Sequence, residues 1–305
     1  MNSLKYGATI YFSPLRRDLE DIGNGVKYQN LRSIVFCTEN LIIERDLPKA
    51  LESLKRLITK FEPGGPFKFI RPRTPEVLSY ILKFRNIEGI TGFVIPKADC
   101  ISLPAYFEAL VNCDKFEIIV TLETEVAFQL RELYRLRDYL LGSRIRPRIS
   151  AICIGTAFLF SILSLKRDIS KSIYETPIGH TIDRLINVFK PSGFDLTAPC
   201  YDDMNNIDIL NLEISLDINR GLFSKIASHP CQIDTINSAY QVSEEELEMA
   251  KAIFDPRNPA VFRQADRMCE KAVHANWARI VLERARLFGV KSMVPGHCRD
   301  LSILS

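Results

Sequence analysis

A small set of ionisable side chains sits at the ends of short apolar runs. Glu39 follows Ile34-Val35-Phe36-Cys37. Arg71 and Arg73 follow Phe69-Ile70, Lys97 follows Phe93-Val94-Ile95-Pro96, and Glu123 follows Ile118-Ile119-Val120-Thr121-Leu122. Lys225 and His229 bracket Ile226-Ala227-Ser228. Such groups can clamp an anionic substrate and hold a hard cation. Arginine offers a planar fork to a carboxylate, and glutamate oxygens are ligands that magnesium accepts. Each residue also has a plainer reading. A lone Lys or Glu at a strand end is usually solvated, and Arg73 either snorkels or pairs with Glu76. Spacing alone does not separate a site from ordinary polar strand ends.

These groups act together only if a rigid frame brings them to one place. Eight apolar runs rich in β-branched residues lie at 8–12, 33–37, 67–71, 92–96, 117–122, 151–155, 195–198 and 221–226. Several are continuously apolar, which predicts strands buried on both faces, the parallel-sheet pattern. Helical spacing fills the intervals, clearest at 47–61 and 125–141. Thr74-Pro75 and Thr176-Pro177 each predict an N-cap hydroxyl before a first-turn proline. Ser243-Glu244-Glu245-Glu246 predicts a capping box. The stretch 14–30 is weakly patterned, a loop or a short helix. Regular strand–helix alternation predicts an α/β fold, a (β/α)8 TIM barrel over residues 1–242. Residues 243–305 form a C-terminal helical extension, with helices at 244–254 and 259–288. It serves as a cover on the barrel or as an assembly surface.

Composition narrows the classes. The chain is 47% hydrophobic and 25% charged, with a net charge of +3 from 40 basic and 37 acidic residues. That balance makes no case for nucleic acid or an anionic membrane as partner. No signal peptide and no apolar span of membrane length is evident. The eight cysteines are scattered without a C-x-x-C pair. This predicts reduced thiols in a cytoplasmic protein rather than a structural zinc site. No Gly-rich phosphate loop, G-x-S-x-G or H-E-x-x-H occurs. His180 reads as a surface or first-turn residue. His274 and Trp277 read as packing or capping residues, and His297 as part of the C-terminal tail.

Six motifs occur in an order that adds a further indication. They are Phe36-Cys37-Thr38-Glu39-Asn40, Phe69-Ile70-Arg71-Pro72-Arg73, Phe93-Val94-Ile95-Pro96-Lys97, Thr121-Leu122-Glu123-Thr124, Tyr174-Glu175-Thr176-Pro177-Ile178-Gly179 and Lys225-Ile226-Ala227-Ser228-His229-Pro230-Cys231-Gln232-Ile233. Over about residues 8–242 the chain resembles the HpcH/HpaI aldolase and citrate lyase β-subunit superfamily. It is most similar to the divergent branch described as C–C bond lyases of the TIM-barrel fold, whose late segment Met268-Cys269-Glu270 through His274-Ala275-Asn276-Trp277 it also resembles. The resemblance implies a barrel of the phosphoenolpyruvate/pyruvate-binding type. It implies a magnesium-dependent lyase or aldolase acting on an oxoacid or a β-hydroxyacyl thioester. By position it gives Arg71 the substrate carboxylate and Glu123 the metal. Glu39 takes an acid/base or supporting position, and Lys97 and Lys225 are supporting cations. Arg16, Lys27, Arg73 and His229 join the substrate-binding set. It also implies a homo-oligomer, a trimer or hexamer.

Two departures stand against the family pattern. The acidic motif after the second strand usually reads Asp-Leu-Glu-Asp, and here it is Cys37-Thr38-Glu39-Asn40. The loop after the sixth strand usually ends in the second aspartate that ligates the metal, and here that position is Phe158, with Cys153 where relatives carry an Arg. The expectation is therefore a carbon–carbon lyase with a weakened Mg2+ site, acting on an oxoacid or acyl-CoA. The alternative is a catalytically degenerate barrel that binds a small anionic ligand or a protein partner.

Overall fold

Runs of apolar residues buried on both faces lie side by side in the first part of the chain. The computed structural model describes residues 3–291; His297 and Cys298 lie outside the described residues. Eight strands pair in parallel: β1 (Ala8–Phe12), β2 (Ser33–Cys37), β3 (Phe67–Arg71), β4 (Gly92–Ile95), β5 (Glu117–Leu122), β6 (Ile149–Ile154), β7 (Ala198–Tyr201) and β8 (Lys225–Ala227). Their order is β6-β5-β4-β3-β2-β1-β8-β7. The ring closes between β6 and β7 through the bridge Ile152–Leu196. There Ile152 N–H donates to Asp195 O (2.7 Å), and Thr197 N–H donates to Ile152 O (2.9 Å). The fold is the expected TIM barrel.

β4 and β6 differ from the sequence reading by one or two residues at their ends, β7 and β8 by more. The seventh run, 195–198, supplies the closing bridge, while the ladder to β8 starts at Ala198 and shifts register before Tyr201. Pro199 has no N–H to give that ladder, which accounts for its irregularity. The eighth run, 221–226, pairs only from Lys225, because Gly221 (φ 71°) still belongs to the turn leaving the preceding helix.

Helices fill the intervals: α1 (Leu19–Gly23), α2 (Leu47–Ile58), α3 (Pro75–Ile81), α4 (Leu103–Leu110), α5 (Leu130–Gly142), α6 (Thr156–Ile162), α7 (Pro177–Phe189), α8 (Ile207–Asn219) and α9 (Ile233–Ala239). α2 buries Ala50, Leu54, Leu57 and Ile58, a helical stripe facing the barrel. Thr74 caps α3 by accepting from Val77 N–H. Thr176 does not cap α7: its hydroxyl donates to Ile173 O (2.6 Å), and Ser172 with Glu175 forms a capping box just upstream. The expected helix at 125–141 begins at Leu130, after a 3-10 turn over Glu125–Phe128.

The described residues divide into two compact units, with the boundary between Ala239 and Tyr240. The second unit holds α10 (Glu244–Phe254), an antiparallel hairpin of β9 (Val261–Gln264) and β10 (Arg267–Glu270), and α11 (Lys271–Phe288). Met249, Ala250, Ile253, Cys269, Ala278 and Val281 form its core. The Ser243 capping box is present, and His274 Nδ1 accepts from Glu270 N–H at the start of α11. The helix expected over 259–288 thus begins only at Lys271. The hairpin turns at Ala265-Asp266, where Ala265 takes φ 52° and Arg263 grips Asp266. No described helix is long and apolar enough to cross a membrane. The cysteines among the described residues are unpaired thiols.

Candidate active site

Strand side chains alternate between the two faces of a sheet. In the barrel, one face of every strand points inward. Tyr6, Val35, Phe69, Val94, Ile119, Ala151 and Cys153 form the interior cluster, with Tyr11, Phe67 and Ile226 packed on it. Arg71 lies two residues beyond Phe69, Cys37 two beyond Val35, and Glu123 four beyond Ile119. All three therefore point into the interior at its C-terminal end, and the ladder places Cys37 opposite Arg71.

There the charges meet. Arg71 donates to Glu39 Oε2 through Nε (3.1 Å) and Nη2 (2.8 Å). The same Nη2 donates to Glu123 Oε1 (2.7 Å). That oxygen also accepts from Lys97 N–H (2.9 Å), and the Lys97 ammonium stands 3.3 Å from Glu39 Oε1. Arg71, Glu39 and Glu123 are 4%, 7% and 3% exposed, so this is a buried cluster at the floor of a mouth. Burial raises the Glu123 carboxyl above its ordinary value, and the Arg71 guanidinium and Lys97 amide draw it partly back. Burial opposes the charge of Arg71, but Glu123 and Glu39 outweigh it and hold the guanidinium charged.

Above this floor opens a cavity of about 330 Å³, lined among others by Tyr11, Arg71, Glu123, Cys153, Phe158 and Asp202. Burial pushes the Tyr11 phenol well above its ordinary value, leaving it a neutral donor. Burial likewise raises the Cys153 thiol. Tyr11 and Asp202 belong to the cavity although the sequence reading overlooked them. The signal was parity: Tyr11 pairs with inward Val35, and Asp202 lies one residue past Tyr201, which pairs with outward Ala227. Gly155 closes one wall. A Cβ there would stand 2.6 Å from Glu123 Cβ and 2.8 Å from its Oε2. Gly155→Ala is therefore expected to displace Glu123 and to cost about 1–3 kcal/mol by overpacking. A thermal unfolding midpoint equal to that of the wild type would overturn this.

The remaining candidate residues lie elsewhere. Arg73 reaches back over the loop after β2, donating to Thr38 O (3.2 Å), Glu39 O (2.9 Å) and Ile42 O, and pairs with Glu44 rather than Glu76. Arg16 and Lys27 are both tied to Asp18 (2.5 Å each), with Arg16 also over the Phe12 ring. His229 is exposed, and its Nδ1 accepts from Cys231 N–H at the start of a 3-10 turn. Lys225 is turned away from the mouth, because Ile226 beside it takes the inward position. Its ammonium is fully buried in the wall between Asp217 (2.8 Å), Glu213 (3.6 Å) and Pro199 O (2.6 Å). Arg167 pairs with the same Glu213, and Tyr174 donates to Asp217 (2.5 Å). His180 is exposed in the first turn of α7.

The donor set does not fit a resident magnesium ion. Magnesium asks for hard oxygens in near-octahedral array. Glu123 Oε1 is taken by the Arg71 guanidinium and the Lys97 backbone N–H, and Glu39 faces the guanidinium and the Lys97 ammonium. Phe158 brings an aromatic ring to the cavity wall. No group of three or more His, Cys, Asp or Glu among the described residues is arranged to hold a metal. Arg71 and Lys97 already balance Glu39 and Glu123, so a dication there would add positive charge that only Asp202, the further carboxylate on the cavity wall, is placed to offset.

Comparisons with known proteins agree with this architecture. The sequence model of a family described as C–C bond lyase of the TIM-barrel fold matches residues 1–290. No curated protein sequence matches the chain. Among solved structures, a citrate lyase from Burkholderia xenovorans superposes with TM-score 0.73 at 15% identity, covering 94% of this chain and 93% of its own. CitE from Mycobacterium tuberculosis, in complex with magnesium, acetoacetate and coenzyme A, does so with TM-score 0.66 at 16% identity, covering 94% and 100%. RipC from Yersinia pestis gives TM-score 0.61 at 15% identity, covering 80% and 99%. At these identities the likeness is one of fold.

Proposed function

Because the chain belongs to the family of C–C bond lyases of the TIM-barrel fold, we propose that it breaks or forms a carbon–carbon bond in a small anionic substrate, an oxoacid or an acyl-CoA. The observation that carries this reading is the buried Arg71–Glu39–Glu123 cluster beneath an open cavity. The acetoacetate and coenzyme A held by the tuberculosis structure belong to the same substrate classes.

The residues supply what such a reaction needs. In a retro-aldol cleavage the hydroxyl proton leaves to a base. The carbon–carbon bond then breaks, and its electron pair passes into an enolate. Glu123 suits the base: burial has raised its proton affinity, and a base works best with a pKa near the operating pH. Arg71 suits the anchor for the substrate carboxylate, being locked in place by two glutamates and firmly charged. Tyr11, neutral and at the cavity wall, is a donor for a carbonyl or enolate oxygen.

The test is product formation from a panel of β-hydroxy acids and β-hydroxyacyl-CoAs, read as pyruvate, glyoxylate or acetyl-CoA released. Glu123→Gln keeps the shape and removes the base. It is expected to lower kcat/KM by a factor of about 10²–10⁴; an unchanged value sinks the role given to Glu123. A second reading, binding without turnover, is favoured by Phe158 alone. Calorimetric binding of panel compounds with no product from any of them would select it.

A further inference from the structure

We propose that the Lys97 ammonium stands in for the divalent metal at this mouth, so that an enolate-like oxyanion is held there without any metal ion. The inference rests on the oxoacid reading above and concerns how that same site balances charge.

The backbone is the first support. Lys97 has φ 50°, in the left-handed region that non-glycine residues avoid. Such a conformation costs on the order of 1–3 kcal/mol and persists where surrounding structure imposes it. Here four hydrogen bonds hold the loop. Lys97 N–H donates to Glu123 Oε1 (2.9 Å), and Lys97 O accepts from the Ser102 hydroxyl (2.8 Å). Ala98 N–H donates to Thr121 O (2.9 Å), and Ser102 N–H to Asp99 Oδ1 (2.7 Å). The loop fixes where the ammonium starts from.

The surroundings of that ammonium are the second support. It lies between Glu39 Oε1 at 3.3 Å and the Phe158 ring, 5.8 Å from the ring centroid. An aromatic face attracts a monovalent cation through its quadrupole, whereas it offers a dication no ligand. Phe158 is therefore a suitable neighbour for Lys97 and an unsuitable one for magnesium. The side chain is 55% exposed at the rim, outside the cavity lining but beside Phe158, which belongs to it, so it is open to a solute that fills the mouth. The contact with Glu39 is longer than a tight charge-assisted bond, which leaves ammonium protons for an incoming oxyanion. With Arg71 on the carboxylate and Lys97 on the developing negative oxygen, the two ends of an oxoacid meet separate cations.

Oxalate, a mimic of the pyruvate enolate, is the probe. Its binding to the full chain is measured calorimetrically in Mg2+ and in EDTA, for the wild type, Lys97→Met and Phe158→Asp. The expectation is a change of less than about twofold between Mg2+ and EDTA in the wild type, and a loss of about tenfold or more in Lys97→Met. Phe158→Asp, which adds a carboxylate to the cavity wall that Glu123 and Asp202 share, is expected to bind oxalate about tenfold tighter with Mg2+ than without. Equal thermal midpoints for the wild type and Lys97→Met show that the fold is intact. Wild-type binding that weakens about tenfold in EDTA overturns this inference alone, as does Lys97→Met binding at wild-type strength. Oxalate failing to bind in either buffer overturns the oxoacid reading and this inference with it.

Discussion

Arg71→Ala is expected to destabilise the fold by about 3–5 kcal/mol, the usual result of removing one partner from a buried ion cluster. It leaves Glu39 and Glu123 facing each other at the floor of the mouth, both nearly inaccessible to water. The pH dependence gives this a signature. Arg71 is the strongest of the groups that draw the Glu123 carboxyl down against burial. Without it, the folded-state pKa rises further above the unfolded value. Above the ordinary carboxylate range the folded protein then binds more protons than the unfolded chain, so stability falls as pH rises. The deficit in urea denaturation is therefore expected to be larger near about pH 8 than near about pH 5. A deficit of the same size at both would mean that packing, not charge, is what Arg71 contributes. Binding of any panel carboxylate is expected to be lost as well.

The second large effect lies in the barrel wall. Lys225→Met removes the cation shared by Glu213 and Asp217, each of which is completely buried. Methionine fills similar space, so the loss isolates charge from volume. Burial already raises both carboxyls, and Lys225 leads the groups that pull them down. Arg167, Ile173 N–H and Tyr174 remain as partners, which keeps the expected loss to about 3–5 kcal/mol rather than complete unfolding. As with Arg71, the loss should shrink as pH falls and the stranded carboxyls take up protons. Urea denaturation at neutral pH within about 0.5 kcal/mol of the wild type would show that this network contributes nothing net. Because the Lys225 ammonium is fully buried in the wall, out of reach of a solute, oxalate binding by the folded variant should be retained, which separates this wall from the mouth.

The difference between these two residues shows what was legible in the sequence. Both follow apolar runs, and both looked like site residues. Arg71 is in phase with Phe67 and Phe69, and Lys225 is out of phase with Ile226. Only the register of each strand decides which way a side chain points, and a one-residue error reverses it. β1 to β3 and β5 are readable to the residue because turn-forming or charged residues bound each run of apolar and β-branched residues. β7 is not, because Pro199 breaks its ladder and the closing bridge lies upstream of the regular strand. The hairpin in the second unit was hidden for a different reason. Its turn uses Ala265-Asp266 in place of the Asn-Gly or Gly-Gly that normally announces a two-residue turn. Arg16 and Lys27 carried the right charge, but Asp18 holds both, a pairing that spacing does not reveal. Asp202 is not evident from the sequence because it follows β7, whose regular pairing starts only where the apolar run 195–198 ends.

The seam between β6 and β7 gives the mouth unequal support. Every other neighbouring pair shares a ladder, whereas these two meet at a single bridge. The ring is closed there by two backbone hydrogen bonds, fewer than its other strand pairs share. Arg71 and Glu39 are carried by β3 and the loop after β2, deep within the laddered arc. Gly155 and Asp202 end the two strands that flank the seam. If the barrel takes an anionic substrate as proposed, bulk at the far end of that substrate would meet the sparsely bonded seam before the arc that carries Arg71 and Glu39. A variant that adds a bond across the seam would then change the range of substrates rather than the need for a carboxylate.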